Sequence, residues 1–176
     1  MELIKIKSDE FDDIYQQMEA SFIRDEIRDY GDALALLEEP CYTLFHIVEN
    51  GTHVGFISVW VFDGFAFAEH FVICAEYRNC GYGGRAIRLV AERFGTVVLE
   101  AETPEIELAA RRIAFYERNG FVCNRVPYMQ PPYRKDSAPV RLVLMSTPKL
   151  LPDPDAVIAT LYRYVYKKEY IRGDLA

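Results

Sequence analysis

A chain of 176 residues, 51% hydrophobic and 14% aromatic, excludes a disordered segment and suffices for one domain that buries about two-thirds of its unfolded surface. The formal net charge of −7 disfavours a nucleic-acid partner. No apolar run reaches the length of a membrane span, and Met1-Glu-Leu-Ile-Lys5 does not open as a signal peptide, so a cytoplasmic protein without membrane attachment is expected.

Glu2 to Lys7 reads as a first strand. A helix follows through about Phe22, capped by Ser8 or Asp9, with Phe11, Ile14, Tyr15, Met18 and Phe22 as its apolar stripe. A second helical segment is expected from about Asp25 to Glu38, ended by Pro40. The charge-dense run between the two, which includes Arg24 and Glu26, suits a solvated face. Cys41 to Val48 and His53 to Phe62 form a hairpin around Asn50-Gly51, and Phe65 to Cys74 returns as the next strand after Asp63-Gly64.

Then comes the most distinctive stretch of the chain. The β-favouring run ending at Cys74 breaks into Ala-Glu-Tyr-Arg78-Asn-Cys-Gly81-Tyr-Gly83-Gly84, followed by a helix over Arg85–Phe94. A strand that feeds a glycine-rich turn at a helix start makes an anion site, because the first amide N–H groups of a helix have no intrahelical acceptor. The glycines let a phosphate approach the backbone, and Arg78 adds a charged fork. Gly81-Tyr-Gly83-Gly-Arg-Ala86 also fits the dinucleotide pattern G-x-G-x-x-G/A, with Glu100 about twenty residues on. Against that reading, six residues separate strand from glycine, and the turn follows a β-rich segment rather than a first strand–turn–helix unit.

Val97 to Glu102 is a strand, and Glu105 to Arg118 a helix stopped by Asn119-Gly120. Phe121 to Arg125 is a short strand, Pro127 to Pro139 a Pro- and Tyr-rich loop, and Val140 to Met145 a final strand. Pro152-Asp-Pro154 opens a last helix to about Lys168, with Val157, Ile158, Leu161, Tyr162 and Val165 on one face. This Tyr-rich helix packs either on the domain or on a second copy, which would make a homodimer. Cys41, Cys74, Cys80 and Cys123 show no metal-ligand spacing and read as reduced thiols, Cys80 alone lying in the turn near Arg78. No metal site is expected.

The spacing Arg78-x-x-Gly81-x-Gly83 at a strand–helix junction resembles the acetyl-CoA signature R/Q-x-x-G-x-G/A of the GCN5-related N-acetyltransferases (GNAT). A second motif follows in the right order: Arg112-Ile-Ala-Phe-Tyr116-Glu-Arg-Asn-Gly-Phe121 is similar to the family's helix A-x-x-F/L-Y-E-x-x-G-F. The family's frequent Asn before that Tyr is missing, and Ala109 stands seven residues before it. The resemblance covers about residues 1–146 and implies an α+β, GNAT-like fold. That fold is a mixed, mostly antiparallel sheet of about six or seven strands flanked by helices. Residues 1–176 then form a single acetyltransferase domain, with 147–176 as a C-terminal helical extension.

The resemblance further implies direct attack of an amine, on a small molecule or a peptide, upon the acetyl-CoA thioester. Arg78, Asn79, Cys80, Gly81, Tyr82, Gly83, Gly84 and Arg85 would hold the cofactor, and a backbone N–H at Val72 or Ile73 would face the thioester carbonyl. Tyr116 would be the acid that protonates the leaving thiolate. Glu69 is the candidate base. Strand alternation sets it with Phe67, Phe71 and Ile73, where desolvation would raise its pKa, and sets His70 on the opposite face. Glu100 and Glu102 are alternative bases or contacts to a cationic acceptor. Arg24, Glu26, Tyr128, Tyr133 and Arg134 are candidate acceptor contacts. Two other readings of the chain are a CoA-binding sensor that has lost the chemistry and a dinucleotide-binding module.

Overall fold

The computed structural model describes residues 1–105 and 107–170. The chain divides into two compact units, Met1–Val97 and Val98–Ala176.

In the first unit four strands pair antiparallel in the order β1 (Glu2–Lys5), β2 (Tyr42–Glu49), β3 (Thr52–Phe62) and β4 (Phe65–Ile73). The β2–β3 hairpin turns at Asn50-Gly51. Both residues have positive φ, 50° and 77°, as the Asn-Gly pair leads one to expect. Residues Phe56 to Trp60 of β3 are all buried and form the middle of the core with Leu44, Ile47 and Phe67. Gly55 has a specific reason to be glycine. An added Cβ would lie 2.1 Å from the Val72 carbonyl oxygen, so no side chain fits where β3 passes β4.

The helices before β2 depart from the sequence expectation. Ser8–Glu10 is a single 3-10 turn, and the α-helix α1 spans Phe11–Ser21. Neither Ser8 nor Asp9 caps it. Instead Glu10 reaches back, and its Oε2 accepts the Lys7 N–H at 2.7 Å. Phe11, Ile14, Tyr15 and Met18 are buried as the stripe predicts. The expected second helix is broken up into a 3-10 turn at Arg24–Glu26, an extended step, α2 (Tyr30–Ala35) and a further turn at Leu36–Glu38. The cause lies at Ile27 and Arg28, both buried, with the Arg28 carbonyl accepting from Tyr15 Oη at 2.9 Å. The backbone there is extended instead, with Ile27 at φ −131° and ψ 152° and Asp29 at φ −61° and ψ 150°.

After β4 and a 3-10 turn (Ala75–Tyr77), α3 covers Tyr82–Phe94. It starts three residues earlier than expected, because Gly81 takes a left-handed conformation (φ 80°) and ends the loop there. Ala86, Ile87 and Val90 are its buried face.

In the second unit β5 (Val97–Glu102) neighbours β8 (Val140–Thr147), which pairs with β6 (Val122–Cys123). The Pro- and Tyr-rich loop contains a short strand not foreseen from sequence, β7 (Met129–Gln130), which also pairs with β8. The predicted strand over Phe121–Arg125 shrinks to two residues because Asn124 turns inward. Its Nδ2 donates to Ser146 Oγ at 2.9 Å, and its Oδ1 accepts the Leu151 N–H at 2.9 Å. Helix α4 (Glu107–Arg118) buries Ala109 and Tyr116 and stops at Gly120, φ 88°. Helix α5 (Pro154–Thr160) is capped by Asp153, whose Oδ1 accepts the Ala156 N–H, and continues as one π turn, Leu161–Val165. The wider turn adds Tyr166 to the buried face and leaves Tyr162 half-buried. Among the described residues no helix is long and apolar enough to cross a membrane.

Gly55→Ala should destabilise the protein by about 1–3 kcal/mol, as an overpacked core position does. Urea unfolding reads the loss, and an unchanged midpoint would contradict the close approach.

Candidate active site

The glycine turn has the geometry of an anion cradle. With the Arg85 N–H bonded to the Gly81 carbonyl at 3.2 Å as the first intrahelical bond, the amides of Tyr82, Gly83 and Gly84 have no acceptor within α3. No side chain caps that end, and the helix dipole adds partial positive charge. Asn79 also has positive φ, 62°, so the loop from Arg78 to Gly81 is tightly wound. Arg78 Nε donates to the Ile73 carbonyl at 3.1 Å, which fixes the arginine stem to the end of β4. Cys80 is exposed, and its Sγ donates to the Arg78 carbonyl. Arg85 is turned to β2: its Nη2 contacts both Glu49 oxygens at 3.0 Å.

Beside Arg78 a cleft of about 390 Å³ opens between the end of α1 and the ends of the strands. Gln17, Ser21, His53, Val72 and Cys74 line it together with Arg78. One of the two backbone positions assigned to the thioester carbonyl, Val72, is thus on its wall.

Glu69 lies in a different environment from the one its neighbours in sequence suggest. Ile57 pairs with Phe71 and Val59 with Ala68, so three steps of β4 oppose two of β3. This bulge at Glu69-His70 breaks the alternation that set the two side chains on opposite faces. His70 Nδ1 is 3.7 Å from Glu69 Oε2. The Glu69 side chain is 1% exposed, although the residue as a whole is half-buried. Arg28 Nη1 donates to its Oε1 at 2.7 Å and Trp60 Nε1 to its Oε2 at 2.9 Å. Burial pushes the carboxyl up, but the charge of Arg28 and the bonds from Trp60 and Arg28 outweigh it and hold the group below its ordinary value. The expected rise is therefore overturned, because a cation reaches the carboxylate from the extended Ile27–Asp29 step. His70 is neutral for the opposite reason. Burial lowers its pKa, and Nε2 donates to the Glu26 carbonyl at 2.9 Å while the backbone N–H donates to Ser58 Oγ. Arg24 is exposed, and Glu26 contributes that carbonyl as well as accepting the Ile23 N–H on its side chain at 3.3 Å.

In the second unit Tyr116 is buried against Phe115 and Phe121. Burial pushes its phenol up to about 12, with Arg112 opposing. At neutral pH it holds its proton, which an acid requires. Glu102 pairs with Arg112 at 2.8 Å. Glu100 is taken up in a cluster: Tyr128 donates to it, Tyr166 Oη lies 2.8 Å from both oxygens, and Gln130 Nε2 donates at 2.9 Å. Tyr128 is 1% exposed, so it packs as core rather than standing open as an acceptor contact. Tyr133 packs on Tyr166 with the rings tilted and centroids 5.3 Å apart, and Arg134 is buried. Sequence reasoning missed Arg28, Trp60 and Tyr166 as partners of these carboxylates. Burial of Ile27 and Arg28 leaves no periodic signal, and neither a bulge nor a π turn changes the letters around it.

The sequence model of the acetyltransferase (GNAT) family matches residues 4–121. No curated protein matches the chain. Among solved structures, a Bacteroides thetaiotaomicron protein described as a GNAT-family acetyltransferase is 29% identical, with a TM-score of 0.90 over 94% of this chain and 98% of that one. The ribosomal-protein-S18-alanine N-acetyltransferase of Escherichia coli is 17% identical, with a TM-score of 0.60 over 86% and 96%. An aminoglycoside 6'-N-acetyltransferase complexed with coenzyme A is 14% identical, with a TM-score of 0.55 over 87% and 100%. The last two likenesses are of fold alone.

Removing the cation from Glu69 by Arg28→Met should cost about 3–5 kcal/mol, because a buried carboxylate is left without its partner, whereas Arg28→Met with Glu69→Met should cost much less. Urea unfolding of the single and double variants tests this. A carboxyl held low in the folded state stabilises fully above its unfolded pKa of about 4.3, and that stability is lost as pH falls through the folded value. The wild type should therefore lose stability below about pH 4 in a component that Glu69→Gln lacks.

Proposed function

The chain belongs to the GNAT acetyltransferase family and is an acyltransferase, and we propose that it transfers the acetyl group of acetyl-CoA to a primary amine of a small molecule or peptide by direct attack on the thioester. The observation that carries this reading is the turn before α3, where Arg78 and the glycines at Gly81, Gly83 and Gly84 lead into three helix-start amides with no acceptor in the helix. Such a cradle suits a pyrophosphate, since backbone donors and one guanidinium meet its charge without bulk.

In this proposal a backbone N–H at Val72 or Ile73 donates to the thioester oxygen as it gains charge. The amine attacks the carbonyl carbon, the C–N bond forms and the C–S bond breaks. Tyr116 gives its proton to the leaving sulfur. A phenol near 12 is a weaker acid than a free one, so the proton moves only as the thiolate separates. Glu69, ionised and tied to Arg28 and Trp60, is a poor acceptor for the amine proton. In the proposal its part is to hold the extended step before α2 against β4. The two units together are taken to serve one acetyltransferase domain.

Thiol release from acetyl-CoA, followed with an alanyl peptide, a polyamine and an aminoglycoside, tests the reading. Turnover of at least one amine supports it. Thermal stabilisation by CoA without thiol release would instead indicate a CoA-binding module, and stabilisation by NAD alone would overturn both. Arg78→Ala should raise KM for acetyl-CoA roughly tenfold, the worth of one charged hydrogen bond, with kcat little changed. Tyr116→Phe should do the reverse, lowering kcat by roughly 100-fold with KM for acetyl-CoA unchanged.

A further inference from the structure

Two of the three histidines lie ring to ring beside the cleft. His46 of β2 and His53 of β3 meet edge to face with centroids 4.9 Å apart, and their Nδ1 atoms are 3.0 Å apart. One Nδ1 must donate and the other accept. His53 Nε2 is 3.1 Å from Gln17 Oε1, and the Cys74 thiol donates to the same oxygen at 3.6 Å. An amide oxygen only accepts, so in this arrangement His53 carries its proton on Nε2, and its Nδ1 accepts from His46. On the far side His46 Nε2 stands 3.6 Å from Glu10 Oε2, a carboxylate with 41% of its side chain exposed. The result is a line of proton carriers from a cleft wall to the surface, whose last gap, from His46 to Glu10, is slightly longer than a hydrogen bond.

We propose that His53, His46 and Glu10 form a relay that removes the proton of the acceptor amine, with His53 receiving it at the cleft. This rests on the acetyl-transfer reading. An ammonium acceptor has two protons to lose before it is an amide. One ends on the CoA sulfur, and the other must reach solvent. In the receiving form His53 has a lone pair on Nε2 and its proton on Nδ1, and His46 has its proton on Nε2. The amine proton binds His53 Nε2, the Nδ1 proton passes to His46 Nδ1, and the His46 Nε2 proton passes to Glu10 and then to water. What is left is the hydrogen-bond arrangement seen here, with Gln17 Oε1 accepting from His53. Tautomer exchange with solvent at the half-exposed rings restores the receiving form.

The surroundings suit the task. Glu10 accepts the Lys7 N–H, and its pKa is lowered chiefly by that bond, with burial opposing and His46 and the Lys7 charge adding to it, so it stays ionised and hands a proton on to water rather than keeping it. On the cleft side the other titratable neighbours are Cys74, Glu76 and Arg78. Burial lowers the pKa of His53, the charge of His46 lowers it further, and Glu76 opposes. At neutral pH His53 is therefore uncharged and able to accept, whereas Glu69 is already tied up by a cation.

Steady-state kinetics with whichever of the alanyl peptide, polyamine and aminoglycoside is turned over fastest tests the relay. His53→Gln should lower kcat at neutral pH by at least tenfold, move KM for acetyl-CoA by less than about threefold, and abolish the acidic limb of the kcat/KM profile. Added imidazole should restore part of the rate. His46→Gln should shift the acidic limb rather than abolish it. An active wild type whose His53→Gln variant keeps both kcat and the acidic limb overturns the relay and leaves the acetyl-transfer reading standing. No turnover of any amine by the wild type overturns that reading, and the relay with it. A second measurement does not depend on turnover. Long-range proton–nitrogen spectra should place the resting proton of neutral His53 on Nε2 and that of neutral His46 on Nδ1, with His46→Gln moving the His53 transition. A His53 transition that His46→Gln leaves in place overturns the proposal.

Discussion

The buried pair of Arg28 and Glu69 decides the shape of the first unit. Two opposite charges placed this deep are stable only together, and each needs its remaining polar atoms satisfied. Glu69 gets a second donor from Trp60, and Arg28 lies over the same indole with its guanidinium carbon 5.8 Å from the ring centroid. Tyr42 packs on that ring as well, its centroid 5.0 Å away. To reach Glu69, Arg28 must come from an extended backbone, which divides the helical segment after α1. To present Glu69 and His70 together, β4 must bulge. A broken helix and a distorted strand thus follow from one electrostatic requirement.

The same unit holds its anion cradle by other means. There the donors are backbone amides, and the residues that matter are those with least side chain. Positive φ at Asn79 and Gly81 brings the chain round from the end of β4 to the first turn of α3. Arg78 is anchored through Nε to the Ile73 carbonyl, which ties the charged group to the strand end. Position in this half comes from backbone geometry, whereas around Glu69 it comes from side-chain charge.

This contrast explains what could be read from the letters. Strands β2 to β4, the Asn-Gly hairpin, the glycine turn and the stop at Gly120 depend on local preferences, and each stands where its residues say it should. The turn was legible because its glycines and its arginine stand together in the letters. The environment of Glu69 was not, since Arg28 lies 41 residues away in sequence and within a charged run that looks solvated. The pairing of Glu100 with Tyr128 and Tyr166 was hidden similarly, across 28 and 66 residues. Long-range pairing of polar groups has no period, and hydrophobic patterning says nothing of it.

Gly55 shows what such a division means for how the protein can change. Because the Val72 carbonyl fills the space a side chain would need, strand β4 at that point is located by main chain against main chain. Substitutions in the loops and helices around the cleft can alter its lining without moving this backbone. A one-carbon addition at Gly55, a residue that lines no cleft, is then the change this strand pair resists.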